Sequence, residues 1–313
     1  MIRHRLEFAA VKALLAVVGV TPDPVVRAAG TVLGRAFYVL DGSHRRVAQR
    51  NLAAAFPTRS VRERRTIARK AFEHFGRLLM EMLKFTSLSD DEMLARVEFD
   101  GEDRARLAYA QGKGVLFYTG HFGYWELHAL AHALVLEPFS VIARPLDNPH
   151  LHTLLEQIRG RTGNPVIYRQ GMIRRVMRTL QAGHGIAVLI DQHIQSRDAV
   201  NVDFFDRPAS TTTAVAALAI RTGAPVVPCF ALPLPGGRYR FVYEHPIEPP
   251  RSEGEAAIRE FTQRCTDVLE MYVRRNPELW LWMHRRWRDD GPAERVPGMF
   301  PTAEADGANL DVE

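Results

Sequence analysis

Short apolar runs alternate with helical stretches from residue 101 onward. The apolar runs have the length of buried strands, are bounded by turn or polar residues, and lie at 114–119, 140–143, 165–168, 185–190, 225–232 and 239–244. Apolar residues recur at helical spacing in the segments 101–112, 125–134, 149–161, 172–182, 210–222 and 253–273. Strands that alternate with helices favour a mainly parallel sheet covered on both faces. The pattern therefore predicts an α/β fold with a mainly parallel central sheet flanked by helices.

The region before residue 90 has a helical pattern throughout. A basic stretch, 45–56, ends at Pro57, and 58–88 then places its apolar residues on one face. The arginines near the start of this second helix are predicted to form a solvated face; they are Arg62, Arg64, Arg65 and Arg69. We therefore expect residues 41–290 to form the main domain and the polar segment 291–313 to be a disordered tail.

The first 40 residues form a separate apolar region. The run from Phe8 to Val20 is interrupted only by Lys12, and at about 13 residues it is shorter than the roughly 20 needed to span a bilayer. Basic residues flank this run and interrupt the next one, 25–40. This pattern predicts two helices in 1–40 that dock on a membrane surface with arginines at headgroup level. Two ordinary packing helices are the alternative.

Composition narrows the class of partner. The net charge of +5 comes mostly from arginine and suits phosphates or an anionic surface. The predicted partner is a membrane surface, and nucleic acid is not predicted. The two cysteines, Cys229 and Cys265, provide no disulfide framework or metal pattern and are predicted to be small core residues of a protein in a reducing compartment. The signatures of a serine hydrolase, a P-loop nucleotidase and a dinucleotide enzyme do not occur.

His121 is the main candidate for chemistry. It lies on a predicted tight turn between the strand 114–119 and the helix 125–134, at a strand end of the kind where α/β proteins bind ligands. Glu126 follows within the first helical turns, from where it can reach back, fix the ring tautomer and stabilise the imidazolium. The flanking Gly120 and Gly123 allow close approach of a substrate. The pattern predicts a general base and its charge partner, although a chance His-x4-Glu is the alternative.

Polar residues also follow other predicted strands. Arg144 closes one strand and can present its guanidinium to a phosphate, unless it pairs with Asp147 in a turn. Asp191-Gln192-His193 follows another strand. Because the carboxyl ends of parallel strands share one edge of a sheet, these residues are candidates for a single site.

A metal site is the competing enzymatic hypothesis. His128 and His132 lie four residues apart on the same predicted helix, a spacing that zinc sites use. Glu126, however, lies about 200° around the helix from His128 and cannot join that pair. Without a third ligand, we predict no metal.

Blocks of residues in order over much of the chain resemble the bacterial lipid A biosynthesis acyltransferase family, which includes lauroyl and myristoyl transferases and lysophospholipid-acyltransferase-like relatives. Gly120 to Glu126 matches its H-x4-D/E motif. The other matching blocks are Arg50-Asn51-Leu52 with Phe56-Pro57, 144–148, Asp191-Gln192 with 202–205 and 208–212, 277–282 and 284–287. Asp206 departs from the pattern, since a glycine usually follows the Phe-Phe pair, and His193 stands where the family varies.

The resemblance implies a glycerol-3-phosphate acyltransferase-like fold and an enzyme that needs no cofactor. An acyl carrier protein or acyl-CoA thioester would donate a fatty acyl group to a hydroxyl of a membrane glycolipid, such as a lipid A precursor, at the cytoplasmic face of the bacterial inner membrane. His121 and Glu126 would be catalytic, and the implied substrate-binding residues are Arg144, Asn148, Arg159, Asp191, Gln192 and Thr211. Alternatives are a lysophospholipid, ornithine-lipid or other glycolipid acceptor, or a non-catalytic lipid-binding protein.

Overall fold

The structure, a computed structural model, describes residues 2–143, 145–168, 172–196 and 198–287. The helices are α1 Ile2–Val20, α2 Asp23–Leu40, α3 Gly42–Ala55, α4 Val61–Phe85, α5 Asp90–Leu94, α6 Glu102–Tyr109, α7 Trp125–Val135, α8 Pro149–Gly160, α9 Met172–Gln181, α10 Ala214–Thr222 and α11 Glu255–Arg275. The strands are β1 Val97–Asp100, β2 Val115–Thr119, β3 Phe139–Ala143, β4 Val166–Tyr168, β5 Gly185–Leu189, β6 Ala199–Asp203, β7 Pro208–Thr212, β8 Val226–Leu234 and β9 Arg238–Tyr243. Arg144 and the predicted tail 291–313 lie outside the described residues.

The central sheet has seven strands in the order β1-β9-β8-β2-β5-β3-β4. Five neighbouring pairs are parallel and only β8–β9 is antiparallel. Consecutive residues of β2 point to opposite faces of the sheet. Leu116 packs in the cluster that includes Phe261 of α11, and Phe117 packs in the cluster that includes Ala105 of α6. The expected mainly parallel sheet with helices on both faces is therefore confirmed.

Two parts of the sequence form strands that were not expected. Residues 97–100 form β1 at the edge of the sheet, and 199–212 form the antiparallel pair β6–β7. The predicted helix 210–222 is therefore too long, because Ser210 to Thr212 belong to β7 and α10 begins at Ala214. β-branched Thr211 and Thr212 suit a strand, and each pairs with a residue of β6 that the helical pattern could not reveal.

The turn of this hairpin explains the departure at Asp206. Phe205 and Asp206 have φ values of 56° and 57°, in the left-handed region. A two-residue hairpin turn of this kind requires positive φ at both positions, and glycine adopts it at the lowest cost. Aspartate tolerates the left-handed region better than most residues, so the hairpin can form without the glycine.

Helices α2 and α4 cross with their backbones in close contact. A Cβ atom on Gly34 would lie 2.2 Å from the Phe72 carbonyl oxygen, and one on Gly76 would lie 2.2 Å from the Gly30 carbonyl oxygen. No side chain fits between the two helices at these positions, and the contact depends on glycine. This crossing holds the N-terminal region against α4, which in turn lies beside the turn that carries His121.

Replacing Gly76 by alanine tests the crossing. The new Cβ would meet backbone, so we expect the Gly76→Ala variant to lose about 1–3 kcal/mol of unfolding free energy despite the better helix propensity of alanine. The matched control is Gly42→Ala at the start of α3, where the nearest atom to a Cβ would be 3.6 Å away. Thermal and denaturant unfolding measure both. Equal stability of the two variants would contradict the close crossing.

Candidate active site

The turn between β2 and α7 carries His121, as the sequence predicted, and distant segments hold it. Gly123 has a φ of 60°, and a Cβ there would lie 1.9 Å from the Ala231 carbonyl oxygen of β8. Its N–H donates to Leu279 O at 2.9 Å, and Leu281 N–H donates to His121 O at 3.1 Å. The turn is therefore packed directly on β8 and paired with the C-terminal segment 279–281.

Helix α4 supports the same turn from another side. The Nε2 atom of His74 lies 3.2 Å from the Gly123 carbonyl oxygen, which makes a hydrogen bond when that nitrogen carries the proton. His74 is fully buried, and burial, followed by the nearby Arg77 charge, lowers its pKa to about 3. His74 is thus a neutral donor to the turn and not a second base.

Asp191 lies directly beside His121. It follows β5, whose Leu189 pairs with Thr119 of β2, so the two strands deliver the residues to the same edge of the sheet. Asp191 Oδ1 accepts from His121 Nδ1 at 2.8 Å, and Oδ2 accepts from the His121 backbone N–H at 2.7 Å. Oδ2 also accepts from Trp280 Nε1 at 2.8 Å. The carboxylate, only 3% exposed, is therefore fully engaged in holding His121.

The two side chains shift each other's pKa. Burial works to raise the pKa of Asp191, but the charge and hydrogen bonds of His121, with Trp280, outweigh it and lower that pKa to about 2. Burial works to lower the pKa of His121, but the Asp191 charge and hydrogen bond, followed by the Glu126 charge, raise it above its usual value. An ionised carboxylate only accepts hydrogen bonds, so Nδ1 carries the proton and the Nε2 lone pair of a neutral His121 is available.

Glu126 does not make the contact that the sequence led us to expect. Its carboxylate receives two hydrogen bonds from Arg159 of α8, from Nη2 at 2.6 Å and from Nε at 3.2 Å. The prediction that Glu126 fixes the His121 tautomer by a hydrogen bond is therefore wrong, because Asp191 occupies Nδ1. Glu126 still acts on the ring through its charge. Arg159, expected to bind substrate, pairs with Glu126, and each side chain is 20% exposed.

Three other residues expected to bind substrate have structural contacts. Asp191 is the partner of His121. Asn148 caps α8 through His150 N–H and donates to His4 O and Glu7 Oε2 of α1, at 3.0 and 2.8 Å. Thr211 is fully buried, where its hydroxyl accepts from Arg286. These bonds engage the three side chains within the fold, and their contacts with a substrate stay a prediction.

Gln192 does lie at the site. Its Nε2 atom is 3.3 Å from His121 Nε2, on the side of the ring away from Asp191. An amide at that position can orient the free nitrogen of His121 or exchange its contact for one with a ligand. Arg144 lies outside the described residues.

The sequence did not point to Arg286 and Trp280 as parts of the site. Arg286 is 1% exposed and donates to the carbonyl oxygens of Ser210 and Gln192. Burial lowers its pKa to about 10, against the opposing effect of the Asp191 charge. In the sequence, Trp280 and Arg286 were marked only by the C-terminal block 277–287, which resembled the family but gave no indication of the residues that it contacts.

An apolar pocket of about 70 Å³ lies between α7 and the sheet, next to the site. Residues of β2, β3 and β5 line it together with Trp125, and Glu126 and Arg159 are its charged lining residues. The pocket therefore combines an apolar interior with an ion pair, and its lining residue Trp125 contacts the ring of His121.

His128 and His132 are core residues. They are 4% and 0% exposed, and burial lowers the pKa of each well below its usual value. His132 Nδ1 bonds to the Tyr243 hydroxyl at 2.8 Å, and the His128 ring stacks on Phe241. Within the described residues, no group of three or more side chains is arranged to bind a metal. Among the helices of the described part of the chain, none is long and apolar enough to cross a membrane.

Proteins similar in sequence are acyltransferases. The lipid A biosynthesis lauroyltransferase of Escherichia coli K12 is 29% identical over 282 residues, which cover 89% of this chain and 90% of the relative. The lipid A biosynthesis myristoyltransferase of the same organism is 24% identical over 290 residues, covering 91% and 88%. The phosphatidylinositol mannoside acyltransferase of Mycobacterium tuberculosis H37Rv is 23% identical over 227 residues, covering 70% of each. The protein is an acyltransferase.

The family can also be stated. The model of the bacterial lipid A biosynthesis acyltransferase family matches residues 2–289, and the chain belongs to that family. This confirms the resemblance found in the sequence. Among solved structures, a 1-acyl-sn-glycerophosphate acyltransferase from Thermotoga maritima is 15% identical and superposes with a TM-score of 0.38, covering 82% of this chain and 97% of that one.

The geometry predicts how the pKa of His121 responds to its neighbours. In Asp191→Asn the main charge that raises the pKa is gone while burial remains, so we expect a clear fall. Glu126→Gln removes the weaker of the two charges that raise the pKa of His121, so the fall in that pKa should be smaller. NMR titration of the His121 ring measures both without any substrate. A larger fall in Glu126→Gln than in Asp191→Asn would reverse the assignment of the partner.

Proposed function

We propose that this protein transfers a fatty acyl group from an acyl thioester to a hydroxyl of a membrane glycolipid such as a lipid A precursor, with His121 as the general base. The observation that carries the proposal is the bond between His121 Nδ1 and Asp191 Oδ1, at 2.8 Å. It leaves Nε2 to accept a proton from a substrate. The activities for which the similar proteins are named support the acyl group and the glycolipid class.

In the proposed reaction the acceptor hydroxyl loses its proton to His121 Nε2 as its oxygen attacks the thioester carbon. The carbon–sulfur bond breaks, an ester forms, and the proton passes from Nε2 to the departing thiolate. A general base of this kind contributes about 10²–10⁴-fold to the rate. Because a thioester already has a good leaving group, direct transfer needs no acyl-enzyme intermediate. Asp191 and Glu126 stabilise the imidazolium that forms between the two proton transfers.

We assign the apolar pocket under α7 to part of the acyl chain of the donor, because its volume of about 70 Å³ holds a few methylene groups. Its lining is mostly apolar, and Trp125, one of the lining residues, has its ring 5.3 Å from that of His121. A chain bound there would have its thioester end near the Glu126–Arg159 pair. The donor in this proposal is an acyl carrier protein or coenzyme A thioester. Its headgroup would remain outside the pocket.

Helices α1 and α2 are proposed to dock on the cytoplasmic face of the inner membrane. Their exposed large apolar side chains support this, among them Leu6 at 66% and Val17 at 61% exposed. Other parts of α1 are packed, since Val18 is buried against Met80 and Leu83 of α4. The helix therefore presents one set of apolar residues to solvent while another set anchors it to the domain.

Removal of the base tests the reaction. We expect His121→Ala to lower the turnover number about 10²–10⁴-fold, measured as thiol release from an acyl thioester in the presence of acceptor lipid. Asp191→Asn should lower it more than Glu126→Gln. Asp191→Asn should also move the acid limb of the pH profile to lower pH, because His121 must be unprotonated to act and its pKa is lower in this variant.

The control for this experiment is His184→Ala. The His184 side chain is 57% exposed and pairs with Glu137 at the surface. This variant should keep the wild-type rate. Near-native turnover by a folded His121→Ala protein would refute the proposed base. Failure of the wild-type protein to consume any acyl thioester would refute the proposed donor.

Membrane docking is tested by a matched pair of substitutions. Leu6→Glu and Leu107→Glu make the same change at residues of nearly equal exposure, 66% and 67%, on α1 and α6. Losing the burial of one leucine removes about 1.5–3 kcal/mol, so Leu6→Glu should bind anionic vesicles roughly tenfold or more weakly. Leu107→Glu should bind like the wild type. Equal losses in vesicle sedimentation would show that α1 has no special role.

A further inference from the structure

Helices α2 and α4 form an apolar groove of about 250 Å³ beside their glycine crossing. Leu33 and Phe37 of α2 line it with Phe72, Phe75 and Leu79 of α4. Phe37 is 57% exposed and Leu79 is 45% exposed, so the rim of the groove is apolar as well. A groove with an apolar floor and an apolar rim suits a hydrocarbon chain that enters from a lipid surface.

The same side of α4 carries a basic concavity of about 520 Å³ at its N-terminal end. Arg62, Arg65 and Arg69 line it with Tyr38 of α2. Arg69 shares the Glu73 carboxylate with Arg35, whereas Arg62 and Arg65 form no ion pair with any residue that the structure describes. The concavity therefore has excess positive charge in a geometry that suits a phosphate. Arg62 and Arg65 are exposed, as expected for a solvated helix face, so their charges are open to a ligand at the surface.

The two features lie on one face of one helix. At 3.6 residues per turn, positions 62, 65, 69, 72, 76 and 79 follow each other along a single face of α4. The step from Arg69 to Phe72 is about 4.5 Å along the axis. The arginine concavity and the groove are thus close enough for one phosphorylated lipid to place its phosphate on the arginines and its acyl chain in the groove.

The groove also leads to the base. The Phe75 ring lies 6.0 Å from the Trp125 ring, which lies 5.3 Å from the His121 ring. Trp125 lines the interior pocket, and its ring contact with Phe75 joins that pocket to the lining of the outer groove. Transfer from an acyl thioester to a lipid brings two hydrocarbon-bearing molecules to one base, and therefore requires two apolar sites that meet there.

We propose that the α2–α4 groove and the arginine concavity bind the acceptor, a phosphorylated acyl lipid, with an acyl chain in the groove and a phosphate on Arg62, Arg65 and Arg69. This inference rests on the proposed function and deepens it, because it assigns the interior pocket to the donor and the outer groove to the acceptor. General attraction of the basic protein to an anionic membrane would not distinguish these arginines from others on the same helix.

Phosphatidic acid and diacylglycerol with the same chains, in micelles of an uncharged detergent, are suitable probes. We expect Arg62→Gln/Arg65→Gln to weaken binding of phosphatidic acid about tenfold or more and to leave diacylglycerol unaffected. The matched control is Arg64→Gln/Lys70→Gln, which removes the same charge from α4 outside the face that lines the groove. It should bind within about twofold of the wild type. Equal weakening in both variants, or no preference of the wild type for phosphatidic acid, would overturn the site.

The groove is tested with adjacent residues. Leu33→Trp places an indole in the groove, whereas Val32→Trp places it outside the lining, and both keep an apolar surface for the membrane. Only Leu33→Trp should raise the apparent KM for a phosphorylated acyl acceptor several-fold, with the KM for the thioester unchanged. Phosphatidic acid should inhibit competitively with the acceptor and not with the thioester.

The alternative outcomes separate two kinds of failure. Competition between phosphatidic acid and the thioester, or equal effects of the two tryptophan variants, would overturn the assignment of the groove to the acceptor. Absence of transfer by the wild-type protein would instead refute the proposed function. The binding measurements need no turnover and would still decide whether the arginines select a phosphate.

Discussion

The active site depends on one buried carboxylate. Asp191 accepts hydrogen bonds from the backbone and ring of His121 and from the indole of Trp280. Removing a carboxylate from water is costly unless donors replace the water, and here three N–H groups do so. These donors come from two segments separated by more than half of the chain. His121 is therefore positioned only when β2, β5 and the C-terminal segment are all in place.

The C-terminal segment has a structural reason to be rich in tryptophan and arginine. Trp280 supplies a donor to Asp191, and its backbone forms a bridge with Phe122, next to the base. Arg286 extends the same support, since it joins the carbonyl oxygens of Gln192 and Ser210. Its buried positive charge also favours the ionised form of Asp191. The block that resembled the family in the sequence thus holds the turn that carries His121.

Features that are set by residues close together in the sequence were predictable, whereas features that are set by residues far apart in the sequence were not. The turn at His121 was predictable because a short apolar run, two glycines and a helical repeat lie within 21 residues. The orientation of Glu126 was not predictable, because it is set by Arg159, 33 residues away. Asp191 was expected at the correct strand end, but its bond to His121 was not, since the β2–β5 register decides which side chains meet. Thr211 was misassigned for the same reason: its strand exists only through pairing with β6.

Helix α4 connects the two halves of the proposed reaction. His74 holds the Gly123 carbonyl of the catalytic turn, and the next residue, Phe75, lines the outer groove and contacts Trp125. One turn of this helix therefore positions both His121, the proposed base, and the proposed acceptor site. The glycine crossing ties α2 to α4 at the same level, so the distance from α2 to His121 is set by backbone contact rather than by flexible side chains. A lipid held by α2 and α4 would thus approach the base in a fixed register, as transfer to one particular hydroxyl requires.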